Sequence, residues 1–239
     1  TPAVAIEYNN ADKVITWGWD KQGDYKVNTV PLPSPMLSKF HRFYSKDNGK
    51  LILVSTLVKL YSELVSRPQP SECYEFREAK LNFIIGLPVQ IRKNLLYRPY
   101  FIESAGLSDR AFMSKECNNL KIYDGPLNKM LSKVRCVVID HPGTTMNISM
   151  AMNTPTIAFW NRKQWAMCEE AEKIYTKLRE VGIFHDDPQS AVRLIEEKWQ
   201  HLKKWWNSNE VQEARLYFCE NYSRFDKEWK IHWVEYLKK

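Results

Sequence analysis

Cys136-Val-Val-Ile-Asp-His-Pro-Gly-Thr-Thr145 opens the stretch that decides the fold, which continues through Met146-Asn-Ile-Ser-Met-Ala-Met-Asn-Thr-Pro155 to Thr156-Ile-Ala-Phe-Trp-Asn161. A short β-branched run comes first, followed by a tight turn at Pro142 and Gly143 and then by residues with hydroxyl side chains. A second apolar run begins after Pro155. This order predicts a β-strand, a loop, a helix and a second buried strand.

The loop after the first predicted strand offers a place for an anion. Gly143, Thr144 and Thr145 stand where the helix begins, so unpaired backbone N–H groups and two hydroxyls are expected at the positive end of the helix dipole. A phosphate group of a sugar nucleotide would bind there. The alternative is structural: one Thr hydroxyl caps the helix, which contributes about 1 kcal/mol, and Gly143 serves only the turn.

Asp140 and His141 follow the same strand directly, at the edge where open α/β sheets bind their ligands. His141 is the candidate acid, because an imidazole with an ordinary pKa near 6.5 can donate a hydrogen bond or a proton to a leaving nucleotide. Asp140 either orients this imidazole or binds a ribose hydroxyl. The alternative for His141 is a turn residue before Pro142 that has no role in catalysis.

Three residues at the end of the second predicted strand are candidates for contact with a nucleoside or a sugar. Phe159 and Trp160 offer aromatic faces for stacking, and Asn161 offers an amide for hydrogen bonding. The alternative is that the aromatic rings belong to the core, since the chain contains nine tryptophans.

Several functional classes lose their main sequence support. The chain contains neither G-x-G-x-x-G nor G-x-x-x-x-G-K-[ST], which argues against a dinucleotide dehydrogenase and a P-loop nucleotidase. Its five cysteines show no C-x-x-C spacing, and no D-x-D pattern is present, so we expect neither a metal site nor a cofactor. No apolar run approaches the roughly 20 residues that span a bilayer.

Strand and helix patterns alternate along the chain, which predicts an α/β fold with a parallel sheet. The apolar run Leu51 to Thr56 is typical of a strand that is buried on both faces. Val30 to Pro35 is rich in proline and predicts a linker between domains. The other predicted strands are Lys13 to Trp19, Asn94 to Arg98 and Leu120 to Tyr123. The other predicted helices are Ser71 to Ile85, Asp109 to Cys117, Pro126 to Lys133, Cys168 to Val181, Pro188 to Trp206, Glu210 to Tyr222 and Asp226 to Leu237.

The formal net charge of +7 favours an anionic partner. An activated sugar and a lipid-linked phosphate at a membrane surface both fit this charge, whereas nucleic acid is not expected because no recognised binding motif accompanies it. The basic and aromatic segment Trp199 to Trp206 either lies on an anionic membrane or forms a buried helical stripe. We favour the buried stripe, because Trp199, Leu202 and Trp206 recur at helical spacing.

The stretch from Asp140 to Asn161 carries a resemblance to a known family. Together with Thr16-Trp-Gly-Trp19, Glu210-Val-Gln-Glu-Ala-Arg215 and Phe218-Cys-Glu-Asn-Tyr222, it resembles the carboxy-terminal half of transferases encoded in bacterial O-antigen and surface-polysaccharide clusters, first described in leptospires. That family is similar to glycosyltransferases of the GT-B type, in which the second of two Rossmann-like domains binds the donor. More loosely, the His-Pro pair resembles the donor halves of bacterial sialyltransferases and Kdo transferases, which use a CMP-sugar.

The resemblance implies further site residues. Ser55 and Thr56 follow the Leu51 strand, in a loop that commonly faces the donor phosphates in GT-B enzymes; an ordinary cap is the alternative. Arg98 matches an arginine at a strand end in the family and would pair with a phosphate or a carboxylate. A surface salt bridge is the alternative for Arg98.

We therefore expect a Rossmann-like parallel sheet flanked by helices, of the GT-B C-terminal domain type, with a helical C-terminal extension. Residues 1–35 would be a strand and a linker from a preceding domain, residues 36–206 the domain that binds the donor nucleotide, and residues 207–239 helices that pack back on it or on a partner domain. A complete enzyme would need an N-terminal acceptor domain.

The expected function is metal-independent transfer of a sugar from a nucleotide-sugar, with CMP-sugars as one option, to a polysaccharide or a lipid-linked glycan. The expected location is the cytoplasm, with peripheral contact at the inner face of the membrane as an option. One alternative is a transferase of polyol phosphate from a CDP-alcohol, and another is a nucleotide-binding or scaffold module without activity.

Overall fold

The structure, a computed structural model, describes residue 8 and residues 10–20, 28–40, 49–56, 69–100 and 108–238. Its strands are β1 (Lys13–Thr16), β2 (Asn28–Pro31), β3 (Leu51–Val54), β4 (Leu95–Arg98), β5 (Lys121–Ile122), β6 (Cys136–Ile139), β7 (Thr156–Phe159) and β8 (Phe184–His185). Its helices are α1 (Pro35–Phe40), α2 (Cys73–Gly86), α3 (Val89–Arg92), α4 (Asp109–Glu116), α5 (Leu127–Leu131), α6 (Thr144–Ala151), α7 (Glu169–Glu180), α8 (Pro188–Lys198), α9 (Leu202–Trp206), α10 (Asn209–Tyr222) and α11 (Trp229–Leu237).

Six of the strands form one parallel sheet in the order β5-β4-β3-β6-β7-β8. The chain builds β3, β4 and β5 outward in one direction, returns to the centre, and then builds β6, β7 and β8 outward in the other direction. The order therefore reverses between β3 and β6, which lie side by side in register from Leu51 opposite Cys136 to Val54 opposite Ile139. The prediction of a Rossmann-like parallel sheet flanked by helices is confirmed.

The central strands are buried at every position because helices cover both faces of the sheet, and all of their residues except Thr156 are apolar. All four residues of β3, β6 and β7 are buried. Alternate residues of a strand point to opposite faces, and accordingly Ile52 and Val54 belong to one apolar cluster while Leu51 and Leu53 belong to the other. Helices α6, α7 and α10 pack together on one side, and α2 packs against α8 on the other.

The strand–loop–helix–strand unit is confirmed as β6, α6 and β7. Several elements differ from the prediction: helices α1 and α3 were not predicted. Strand β8 was not predicted, because two residues at the edge of a sheet are too short to show a periodicity. The single predicted helix Pro188 to Trp206 is divided into α8 and α9 by a 3-10 turn at Trp199–His201.

The proline-rich stretch predicted as a linker contains regular structure. Val30 and Pro31 belong to β2, which pairs in parallel with β1, and Pro35 begins α1. This part of the chain is held by the C-terminal region: the Ser34 N–H donates to the Arg224 carbonyl at 2.8 Å, and the Trp233 indole donates to the Pro33 carbonyl at 2.9 Å. The predicted helical C-terminal extension is therefore confirmed, and it contacts the first segment of the chain.

The segment from Trp199 to Trp206 is part of the core, as we favoured from its spacing. Trp199, Leu202 and Trp206 are buried, whereas Lys203 and Lys204 are exposed. The basic charge of this segment therefore faces solvent beside a buried apolar stripe.

Candidate functional site

The reversal of strand order places two loops next to each other at the carboxyl edge of the sheet. Ser55 follows β3 and Asp140 follows β6, and the Ser55 hydroxyl donates to Asp140 Oδ2 at 2.6 Å. Both residues are almost fully buried, with exposures of 2% and 1%. This is the position at which open α/β sheets form their ligand crevices.

The Asp140 carboxylate also holds the neighbouring imidazole. His141 Nδ1 lies 2.7 Å from Asp140 Oδ1, and the His141 ring lies 6.2 Å from the Trp165 ring, measured between centroids. The ring covers Gly143, where an added Cβ would lie 3.0 Å from His141 Cδ2 and 3.1 Å from Nε2. The second nitrogen of His141 therefore lies beside the residue that precedes α6. Asp140 is thus within hydrogen-bonding distance of the imidazole that it was expected to orient.

Helix α6 begins without a side-chain cap. Gly143 is its N-cap residue, with an extended backbone at φ −172°, and no side chain caps this end. Thr144, the first helical residue, is exposed, and Thr145 is half-buried. The capping alternative for the two threonines is thus absent, and their hydroxyls have no hydrogen-bond partner among the residues that the structure describes.

The other residues predicted to bind phosphate lie along the same edge but differ in accessibility. The Ser55 hydroxyl is buried and directed at Asp140, so the structure makes it a support of that carboxylate. Thr56 is half-buried beside it. Arg98 ends β4, the strand next to β3; its Nη1 donates to the Pro99 carbonyl at 3.4 Å, and its Nε is buried without a partner within the described ranges.

A pocket of about 210 Å³ opens beside Asp140, over the ends of β6, β7 and β8. Four of the lining residues are acidic: Glu75, Asp140, Asp186 and Asp187. Among the described residues, the lining contains no Lys or Arg. Phe159, Trp160 and Asn161 also line it, together with Gln164. The predicted nucleoside contacts thus lie together around one opening.

The two aromatic rings of this group are mainly core residues. Phe159 stacks on Phe83 at 5.1 Å, and Trp160 packs on Phe184 at 4.6 Å. Both are at most 3% exposed. A ligand in the pocket would therefore reach only the small part of either ring that faces the opening, whereas Asn161 is exposed.

A buried lysine extends the site in a way that the sequence analysis missed. Lys80, on α2, is 1% exposed; its ammonium group donates to Ser55 Oγ at 3.0 Å and to Asp109 Oδ2 at 2.6 Å. Asp109 is the first residue of α4. A continuous chain of hydrogen bonds therefore runs from Asp109 through Lys80, Ser55 and Asp140 to His141.

Asp109 is ionised in this setting. Burial acts to raise the pKa of its carboxyl, but the charge of Lys80 and hydrogen bonds from Lys80 and Tyr97 outweigh burial and hold the pKa below its ordinary value. Arg77 adds a further ion pair, with Nε 3.2 Å from Asp109 Oδ1. For Tyr97, burial followed by the Asp109 charge raises the pKa well above 10, so its hydroxyl remains a donor to Asp109.

One signal in the sequence pointed to Lys80. The helix that contains it was predicted, and its buried residues include Phe76, Lys80, Phe83 and Ile84, spaced by four, three and one positions. A lysine within an apolar helical stripe is unusual, because an ammonium group is almost never fully buried without a partner. Its partner Asp109 lies 29 residues away and could be identified only from the structure.

Residues 1–237 match the profile of the LIC12162 family transferase. The chain belongs to this transferase family. The match spans nearly the whole chain and therefore includes every site residue described above. It agrees with the resemblance to polysaccharide-cluster transferases, which rested on short segments of the sequence.

Comparisons with curated proteins and with solved structures give no further indication of function. No curated protein matches the chain. Among solved structures, it is similar to WaaG, described as a glycosyltransferase involved in lipopolysaccharide biosynthesis, with a TM-score of 0.37 and 12% identity. The aligned part covers 84% of this chain and 53% of the WaaG chain, so the chain spans about half the length of that neighbour. A similarity at this level carries no argument about function.

No group of three or more His, Cys, Asp and Glu side chains within the described ranges has a geometry that could hold a metal ion. No helix in the same ranges is both long and apolar enough to cross a membrane.

Proposed function

We propose that this chain is the donor-binding part of a GT-B-type glycosyltransferase that moves a sugar from a nucleotide-sugar to a surface-polysaccharide acceptor. Membership of a transferase family and the resemblance to polysaccharide-cluster enzymes support the reaction class. The observation that carries the proposal is the meeting of Asp140, His141 and the uncapped start of α6 at the reversal of strand order. Open α/β sheets bind their ligands at this position.

The donor phosphate would lie at the start of α6. Unpaired N–H groups and the helix dipole favour a negative charge there, and the Thr144 and Thr145 hydroxyls have no partner within the described ranges. Arg98, whose buried Nε has no partner in the described part of the chain, lies on the same edge of the sheet and would contribute a positive charge. We propose Gly143, Thr144, Thr145, Arg98 and Thr56 as phosphate-binding residues, with Ser55 acting through Asp140.

The uncharged part of the donor would lie in the acidic pocket. Although Asp186 is paired with Arg162 and Arg179, a lining of four carboxylates makes this pocket less favourable for a phosphate than the start of α6. The same carboxylates accept hydrogen bonds from hydroxyl and amino groups. A ribose, a sugar or a cytosine amino group supplies such donors, so the donor would lie with its phosphate at α6 and its nucleoside near Asn161.

The transfer would displace the nucleotide at the anomeric carbon. An acceptor hydroxyl oxygen forms the new bond to this carbon while the bond to the phosphate oxygen breaks, and the electron pair of that bond stays on the leaving nucleotide. Protonated His141 would donate to the phosphate oxygen, and the α6 N–H groups would stabilise the developing charge. The acceptor proton would pass to a base in another domain. We propose that the step needs no metal ion.

The proposal includes a preceding acceptor domain. Strands β1 and β2 form a parallel pair in a sheet of their own, and parallel strands are normally part of larger sheets that are covered on both faces. We therefore propose that β1 and β2 complete a sheet of that domain. The partners would be a nucleotide-sugar and a polysaccharide or lipid-linked glycan at the cytoplasmic face of the membrane.

Thermal unfolding in the presence of nucleotides tests the proposal. We expect CMP, CDP, UMP or UDP at about millimolar concentration to raise the melting temperature, because a ligand of the native state stabilises it by mass action. Inorganic phosphate should have a much smaller effect, and EDTA should leave the shift unchanged. If none of the four nucleotides shifts the melting temperature, the proposed donor site is wrong.

Thr144→Val and Thr145→Val locate the phosphate within this site. Because neither hydroxyl caps α6, stability should change little in either variant. Nucleotide affinity should fall by roughly tenfold or more in at least one of them, as expected for the loss of a hydrogen bond to a charged group. Wild-type affinity in both variants would contradict the placement of phosphate at α6.

A further inference from the structure

The hydrogen bonds between Lys80 and His141 run in one direction. An ammonium group only donates, so Ser55 Oγ accepts from Lys80 at 3.0 Å. The acceptors within reach of the single Ser55 proton include Asp140 Oδ2 at 2.6 Å and the Thr56 carbonyl at 3.3 Å, and the Tyr97 hydroxyl oxygen also lies near it. Of the first two, the shorter contact, which ends on a carboxylate, is the stronger.

The next link sets the state of the imidazole. The two oxygens of the Asp140 carboxylate only accept, one from Ser55 and the other from His141 Nδ1 at 2.7 Å. The proton of a neutral His141 therefore lies on Nδ1, and Nε2 carries a lone pair. This nitrogen lies beside Gly143, at the start of α6.

We infer that Lys80 is a positioning residue for His141: through Ser55 and Asp140 it fixes the neutral imidazole in the tautomer that leaves Nε2 unprotonated. Without Lys80 the Ser55 hydroxyl is free to turn toward the Thr56 carbonyl, and Asp140 loses one of the two bonds that hold its carboxylate. The imidazole then loses its fixed partner at Nδ1.

This tautomer limits what His141 can do. A neutral imidazole with a lone pair at Nε2 accepts a proton from a hydroxyl group, but it repels a phosphate oxygen. The same ring binds phosphate only after it has taken up a proton. This consequence for transfer rests on the proposed function, whereas the tautomer itself is a property of the free protein.

The burial of Lys80 supports a role beyond the ion pair with Asp109. Removing an ammonium group from water costs several kcal/mol, and Asp109 already receives a hydrogen bond from Tyr97 and an ion pair from Arg77. Lys80 is the cation of this group that donates to Ser55, and the Tyr97 hydroxyl also lies within hydrogen-bonding reach of Ser55. The contact between Lys80 and Ser55 joins the α2–α4 ion-pair cluster to the end of β3, next to the candidate catalytic pair.

Nitrogen NMR of the His141 ring in the free protein tests the inference, because ¹⁵N shifts distinguish the two neutral tautomers. We expect the wild-type ring to carry its proton on Nδ1. In the double variant Lys80→Met/Asp109→Asn, the ratio of the two tautomers should move toward the Nε2-protonated form by about fivefold. This is the change in an equilibrium that the loss of one ordinary hydrogen bond produces. The double variant is used because Lys80→Met alone leaves Asp109 buried without its main partner.

Two further variants separate positioning from general loosening. Ser55→Ala breaks the same chain one link later and should move the tautomer ratio in the same direction. Arg77→Met removes another partner of Asp109 without touching Ser55 and should leave the ratio at its wild-type value. A wild-type ratio in the folded double variant, or an equal shift in Arg77→Met, would overturn the inference. The measurement does not need nucleotide binding. The inference about Lys80 can therefore be wrong while the proposed donor site is right, and the donor site can be wrong while the inference is right.

Discussion

Two buried carboxylates and one buried ammonium group meet where β3 and β6 end. Lys80 lies between Asp109, which it contacts directly, and Asp140, which it reaches through the Ser55 hydroxyl. Each ion is costly to remove from water, and the cost is recovered only where every donor and acceptor has a partner. The group therefore holds one arrangement of the site firmly, and the removal of a single member leaves an uncompensated charge in the core.

We predict that Asp109→Asn lowers the free energy of unfolding by about 3–5 kcal/mol near neutral pH, the usual effect of removing one partner from a buried ion pair. The folded-state pKa of Asp109 lies below its ordinary value of 3.8. Its contribution to stability is thus fully present above the unfolded-state pKa and is lost as the pH falls through the folded-state pKa. Urea unfolding of both proteins, repeated at decreasing pH, should show the difference between them shrinking below about pH 4.

Asp124→Asn is the matched control for this prediction. The pKa of Asp124 is also lowered, chiefly by a hydrogen bond from Arg110, but this ion pair is exposed to solvent. Exposed pairs contribute little because water and salt screen them. A loss of stability in Asp124→Asn as large as that in Asp109→Asn, or a difference that does not depend on pH, would show that burial is not the source of the effect.

The elements that could be predicted from the sequence are those with a local signal. Strand β6 and helix α6 follow from a β-branched run, a Pro-Gly turn and two threonines, all within sixteen residues of one another in the sequence. Helix α2 follows from its periodicity, and Asp140 and His141 follow from their place at a strand end. The pairing of Lys80 with Ser55 and Asp109 has no local signal, because it depends on how α2, α4 and β3 pack in space.

The contact between the N-terminal part of the chain and helix α10 depends on Gly18. Gly18 has φ +133°, a conformation that favours glycine, and a Cβ at this position would lie 2.2 Å from the Glu220 carbonyl oxygen. We predict that Gly18→Ala destabilises the protein by at least about 1–3 kcal/mol, the usual cost of such backbone strain alone. Urea unfolding measures the loss, and limited proteolysis should show earlier cleavage after residue 222.

Gly86→Ala is the control for Gly18→Ala. Gly86 ends helix α2, and a Cβ there would make only ordinary contact with Val192, at 3.5 Å. Alanine also reduces the freedom of the unfolded chain, so this variant should be as stable as the wild type or more stable by about 0.4–1 kcal/mol. If both variants lose the same stability, the close approach of Gly18 to α10 does not matter.

At the scale of the whole molecule, the strand order determines where the site lies. The 81 residues 55–135 separate β3 from β6 in the sequence, yet the two strands are neighbours in the sheet. The sequence predicted β3, β6 and the parallel class, but it did not predict which strand lies beside which. For that reason it placed Ser55 and Asp140 at the same edge without showing that the two side chains would touch.

The same strand order predicts how the protein opens. Three strands, β3, β6 and β7, are buried at all positions and lie in the middle of the sheet. The edge strands β5 and β8 have two residues each. Strands β1 and β2 form a separate pair. Local opening is easiest where few apolar contacts are lost. Native-state hydrogen exchange should therefore be slowest in the three central strands, faster in β5 and β8, and fastest in β1 and β2. Amides of β1 and β2 that exchange as slowly as those of β6 would contradict this order and would show that the first segment is part of the same cooperative unit as the main sheet.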